Sequence, residues 1–191
     1  MAEDVRVGQK LTAVRESLQL TVEGLAEQSG CSASVIRAIE AGELLPSLAP
    51  LIRLARALGV RLGTLLDDAG GLGPVVTRRD AAAGVPRLKS LETGAGGAGN
   101  TLDFFSLAQG KATRHMEPFL VTVHPGGGSA STHEGEEMLY VLEGRVEIAY
   151  GQELHQLGPG DSIYYDSIVP HRVSAAGGTD ARLLAVVYAP L

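Results

Sequence analysis

The hydrophobic period of this chain changes once, and the change divides it in two. Up to about residue 68 apolar side chains recur at helical spacing. Leu11, Val14 and Leu18 share one face, as do Leu51, Leu54 and Leu58, and then Leu62, Leu65 and Leu66. From residue 101 apolar and polar side chains alternate instead, in "PFLVTV", "EMLYVLEG", "RVEIAYG" and "ARLLAVVYAP". A helix presents one face every three or four residues, and a strand every two. The expected fold is therefore α + β in two domains, with helices over 1–68, a linker over 69–100 and an all-β domain over 101–191.

Local signals sharpen the helical half. Helices are predicted at roughly 5–18, 21–29, 32–40, 47–58 and 61–67. Thr21, Ser32 and Ser47 stand where N-caps belong, and Gly30, Gly42 and Gly59 where C-terminal caps belong. The linker is rich in glycine ("AGGLGPVV", "ETGAGGAGN"). A short strand is expected at 75–78, and "VPRLKSL" is expected to pack on the second domain. Turn signals at close, regular spacing after residue 101 predict an antiparallel sandwich or small barrel.

Composition narrows the function classes. Hydrophobic residues are 45% of 191, enough for two cores, but aromatics are 4% and tryptophan is absent, so aliphatic side chains must fill them. The net charge of −6 excludes a generally basic nucleic-acid coat, although a docking face alone can be basic. The single cysteine, Cys31, excludes a disulfide framework or a cysteine zinc site within one chain. No apolar signal core and no bilayer-length run is visible, so a soluble cytoplasmic protein is expected.

Within the helical half, "LTVEGLAEQSGCSASVIRAIEAGE" reads as helix, tight turn at Gly30-Cys31, and second helix. Ala26 is small at the crossing, while Val35 and Ile39 are expected in the core. This is a helix-turn-helix, whose second helix can enter a major groove. Residues 8–66 resemble the phage-repressor (XRE) family of lambda-repressor-like, five-helix DNA-binding domains. The resemblance implies phosphate contacts at Thr21 and Val22, and base reading at Ser32, Ala33, Ser34 and Arg37. Val22 departs from the polar residue usual there. Residues 1–68 hold seven Lys/Arg against nine Asp/Glu, so weak, dimer-dependent DNA binding is expected.

In the second half, "STHEGEEMLYVLEG" places Ser131, His133, Glu137, Leu139 and Val141 on one face of a continuous strand. "PGD" at 159–161 and "PH" at 170–171 follow. Two histidines and a carboxylate, with coordination positions to spare, form the facial arrangement used by non-haem Fe(II). Residues 101–191 resemble a cupin, the double-stranded β-barrel or jelly roll. Its first motif is matched at Ser131, His133, Glu137 and Gly144, and its second at 159–161 and His171. Ser131 replaces the family's first metal histidine. The resemblance implies one divalent metal (Fe(II), Zn, Mn or Ni) on His133, Glu137 and His171, or a metal-free pocket for an organic ligand. Ser131, Leu139, Val141 and Val173 are the expected pocket lining. His115, His124 and His155 are expected at the surface, and Tyr164 and Tyr165 on opposite faces of their strand, one bordering the pocket and the other packing or facing water.

The two halves together resemble the bacterial helix-turn-helix/cupin transcriptional regulators. The resemblance implies a homodimer, or a tetramer, that binds an operator and responds to a small-molecule effector, with no catalytic residues. The same domain order is similar to that of the hydroxypropylphosphonate epoxidases, which are Fe(II) oxidases. Against that activity, "LDFFSL" stands where those enzymes carry tyrosines, and Gln19 where they carry a lysine.

Overall fold

The structure is a computed structural model that describes residues 4–67, 72–78, 88–89, 102–111, 114–126 and 128–190. Among these residues five helices come first: α1 (Asp4–Ser17), α2 (Val22–Ser29), α3 (Ala33–Glu40), α4 (Leu48–Ala57) and α5 (Leu62–Leu66). Nine strands follow: β1 (Leu88–Lys89), β2 (Leu102–Ser106), β3 (Met116–Val123), β4 (Glu136–Glu143), β5 (Val146–Tyr150), β6 (Glu153–Leu157), β7 (Ser162–Asp166), β8 (His171–Ala175) and β9 (Ala181–Tyr188). The α + β order with a helical first half and an all-β second half is the expected one.

Side-chain caps set two of the helix starts. The Thr21 hydroxyl accepts from Gly24 N at 3.0 Å, and the Ser32 hydroxyl from Val35 N at 3.3 Å. Ser47 occupies the cap position of α4 but makes no such bond. Gly30, Gly42 and Gly59 all have positive φ, the backbone state that ends a helix without strain. The helical core is Leu11, Leu25, Ile36, Ile39, Leu51, Leu54 and Leu65, all fully buried. Leu18 lies beyond the end of α1 and is 49% exposed, so the apolar face of α1 ends one turn earlier than its spacing suggests. Val35 is only partly buried, and Ile36 takes the core position beside Ile39.

Gly8 allows α1 to meet α3 closely. A Cβ there would lie 2.1 Å from the Ile39 carbonyl oxygen. The same junction holds a two-pronged ion pair, with Arg15 Nε 2.6 Å from Glu40 Oε1 and Arg15 Nη2 3.0 Å from Glu40 Oε2. The end of α3 is thus tied to α1 by close backbone packing and by charge.

The strands form an antiparallel six-stranded sheet, β1-β2-β3-β9-β4-β7, facing a three-stranded sheet, β6-β5-β8. Alternation is strict on the central strands. Glu117, Phe119, Val121 and Val123 of β3 point inward, as do Ala181, Leu183, Ala185 and Val187 of β9. Glu137, Leu139 and Val141 share the inner face of β4. Residues 74–78 form no strand, which corrects the expectation at 75–78. Thr77 instead donates to the Leu107 carbonyl at 2.8 Å. Of "VPRLKSL", Leu88–Lys89 pairs with Asp103 and Phe104 of β2; the remainder, and most of the linker, lies outside the described residues.

The halves meet through Arg114, just before β3. It is buried and pairs with Asp67, at the end of α5, and with Glu117, whose Oε2 is 2.7 Å from its Nε. On the surface, Arg56 of α4 pairs with Glu134, Arg53 Nη1 donates to the Thr132 carbonyl at 3.5 Å, and Arg61 Nη1 lies 2.6 Å from His115 Nδ1.

Candidate functional site

Alternation along β4 puts the Glu137 carboxylate inside the barrel, but it does not deliver His133. The strand begins at Glu136, so the continuous face expected from residue 131 is interrupted. Gly135, with φ 109°, turns the chain there. His133 is positioned by main-chain bonds: His133 N donates to Ser167 O at 3.0 Å and Ser167 N to Gly135 O at 2.9 Å. His171 opens β8 and exchanges two main-chain bonds with Ser131, at 2.7 and 3.0 Å. The residue in place of the family's first histidine thus clamps the strand carrying the last one.

His133, Glu137 and His171 are all buried, and one ligand atom from each lies within 4.8 Å of the others. Each ring is oriented by a carbonyl: His133 Nδ1 is 3.1 Å from Glu134 O, and His171 Nδ1 is 2.9 Å from Val169 O. A carbonyl only accepts, so both Nδ1 atoms carry protons and both Nε2 atoms face Glu137 Oε1, at 2.7 and 3.4 Å. Three lone-pair atoms converging in a buried place need a cation between them, either a proton on an imidazole or a divalent metal. The donor set and its outer carbonyls fit such a metal.

The electrostatics agree. Burial works against the Glu137 charge, but the bonds from His133 and His171 outweigh it and hold the carboxyl well below the usual carboxylate range. Burial opposes protonation of His171, and its bond to Glu137 overcomes this and raises its pKa. Tyr165, the β7 residue paired with Glu137, donates its hydroxyl to Oε2 at 2.9 Å, and Ser167 Oγ lies 3.3 Å from Oε1. Burial and the Glu137 charge raise the phenol's pKa, so it stays a donor.

A cavity of about 400 Å³ opens above this cluster, and both halves of the chain line it. Glu137, His171, Ser131, Leu139 and Val173 come from the barrel; Ser32, Val35 and Leu44–Pro50 come from α3, α4 and the loop between them. Val141 is 0% exposed and is not part of the lining. It sits one inward position beyond Leu139, where core side chains close the barrel.

Comparison with known proteins matches a helix-turn-helix domain family over residues 6–69 and a cupin domain family over residues 119–187. The chain is 30% identical over 192 residues to the (S)-2-hydroxypropylphosphonic acid epoxidase of Streptomyces wedmorensis, covering 91% of each. The chain belongs to the two-domain helix-turn-helix/cupin family. It is also 25% identical to the HTH-type transcriptional regulator PuuR of Escherichia coli (strain K12), over 95% of this chain and 94% of that one. A solved HTH_3 family transcriptional regulator from Vibrio cholerae has the same fold, with TM-score 0.68, 21% identity and coverage of 98% and 97%.

In this helix-turn-helix/cupin chain the residues implied for DNA contact already have partners. Thr21 and Ser32 cap their helices, Ser34 Oγ lies 3.0 Å from Ser32 Oγ, and Arg37 pairs with Glu23 across the exposed face. Ala33 is half-buried, and Val22 packs against the core rather than offering a polar group. Of the remaining histidines, His115 meets Arg61, His124 lies 3.0 Å from Asp103 and 3.1 Å from Asp180, and His155 lies 3.3 Å from Glu153. None of them joins the cluster. Tyr164 is exposed and Tyr165 buried, as opposite faces require. The sequence reading put one of the two tyrosines at the pocket but not its bond to Glu137, and it missed Ser167 as a holder of Glu137 and Arg53 and Arg172 as cavity residues. For Tyr165 the signal existed, since an inward tyrosine on a strand beside "EEMLYV" can reach the carboxylate; for the arginines there was none.

Proposed function

We propose that this protein is a DNA-binding transcriptional regulator, acting as a homodimer, whose cupin barrel binds a small molecule that changes operator affinity. The shared cavity carries this reading. Ser32, the cap of the helix that reads bases in such domains, and Glu137 and His171 of the barrel line the same space. A ligand there touches both elements directly, so its binding energy can differ between two placements of α3. The similarity to PuuR and the Vibrio cholerae regulator supports the DNA-binding part.

The test is a titration of the full chain against DNA from upstream of its own gene, at stated salt. Arg37→Ala should weaken binding by about 1–3 kcal/mol if the side chain leaves Glu23 for a guanine edge. Unchanged affinity would remove Arg37 from the reading surface, and no shift with any upstream fragment would sink the regulator reading.

A second reading is a mononuclear non-haem iron oxidase of the epoxidase type, favoured by the convergence of both Nε2 atoms on Glu137 Oε1 and by the 30% relative. His133, Glu137 and His171 would hold the metal, which when bound as Fe(II) supplies oxygen-activating chemistry. The residues themselves are held in place: two carbonyls fix the rings, and Tyr165 and Ser167 fix the carboxylate. Elemental analysis of protein purified without a histidine tag should find near-stoichiometric metal, lost in a His133→Ala/Glu137→Ala double variant that keeps the barrel's circular dichroism. Equal metal in both proteins removes these residues as ligands; oxygen uptake with iron-loaded protein would favour the oxidase.

A further inference from the structure

Two side chains in the shared cavity have no part in the metal cluster. Arg53 of α4 and Arg172 of β8 both line it. The Nε of each is buried and has no hydrogen-bond partner among the described residues. They flank one short paired segment at the barrel mouth: Ser131 bridges to His171, Arg172 follows His171, and Arg53 reaches the carbonyl of Thr132. An arginine cannot escape burial by losing its proton, and a buried donor without an acceptor is costly. The acid lining the cavity, Glu137, is already engaged by His133, His171, Tyr165 and Ser167. Among the described residues the lining holds no other carboxylate. Neither Nε has an acceptor among the described residues, and each stands open to one carried by a ligand.

The rest of the wall sets what is attached to that acceptor. Phe104, Val121, Leu139 and Val173 present apolar surface from the barrel, and Leu44 and Leu48 do so from the helical half. Among the described residues the lining has no lysine and no third arginine, which suits one planar carboxylate better than a phosphate dianion. We propose that the interdomain cavity binds a small organic carboxylate, its head between Arg53 and Arg172 and its apolar body over Phe104, Val121 and Leu139. This deepens the sensor reading by giving its ligand a chemical class, and it rests on that reading only for biological meaning.

The experiment is calorimetric titration of the full chain with hexanoate, hexanamide and hexylamine, which share a body and differ in head charge. Hexanoate should bind, with the amide and the amine at least about tenfold weaker. Arg53→Met and Arg172→Met should each bring hexanoate down to the level of the amide, with melting temperature measured to check that they fold. Absence of hexanoate binding overturns the assignment, as does hexylamine binding equally well or a folded arginine variant with unchanged hexanoate affinity. The acid-against-amine comparison uses wild-type protein alone, so it stands if a variant fails to fold. DNA titration in parallel keeps the ideas apart. Hexanoate binding without DNA binding removes the regulator and keeps the site, and DNA binding without hexanoate binding does the reverse.

Discussion

Glu117 shows how one buried residue can make the whole fold sensitive to pH. Its carboxylate and that of Asp67 share one guanidinium, Arg114, so the cluster holds one negative charge too many. Burial, only partly offset by Arg114, pushes the Glu117 carboxyl from 4.5 up to about 7. Between those values the folded state holds a proton that the unfolded chain has released. Stability therefore falls as pH rises from about 4.5 through about 7. Glu117→Gln should flatten that slope in urea melts taken across the window; a slope equal to wild type would mean that another group sets it. None of this was legible in "KATRHMEP", because a charge-bearing loop reads as surface until Asp67 arrives from forty-seven residues earlier. The metal-type cluster was legible, because alternation and motif spacing both fix which face Glu137 takes. The turn that brings in His133 was not, since it depends on a glycine whose Cβ would lie 1.9 Å from the Tyr188 carbonyl oxygen.

At the scale of elements, local chemistry carried most of the reading. Thr21 and Ser32 precede periodic apolar runs and both accept the expected bonds. Ser47 stands in the same relation to α4, yet its bond is absent, so residue type alone locates a cap without guaranteeing its energy. Thr21→Ala should destabilise the helical half by about 1 kcal/mol, whereas Ser47→Ala should leave denaturant unfolding nearly unchanged. Equal losses would show that cap position matters more than the bond. The 75–78 segment failed as a strand because β-branched residues fit a pleated surface only where a partner strand receives them. Thr77 finds its partner through its side chain instead.

For the whole molecule, the decisive contacts cross between halves that sequence patterns treat as separate. Arg114 is the buried member of these, joining the end of α5 to the start of β3, while the Arg56–Glu134 pair is exposed and screened by salt. A buried tie couples the two cores, so heat should unfold wild type in a single calorimetric transition. Arg114→Met strands two carboxylates and should split it into two. A single transition in that variant would place the coupling elsewhere. The arginines of the cavity belong to this scale too: Arg53 and Arg172 lie in different periodic segments, and only docking brings them to one cavity.

The shared wall also has a genetic consequence. Residues 44–50 lead from α3 into α4 and border the shared cavity. Under the regulator function proposed above, a drift in operator preference that passes through these positions would reshape the effector site in the same step. On that proposal the two specificities would be inherited as a linked pair, and a selection for altered ligand response should return changes in the helical half as often as in the barrel.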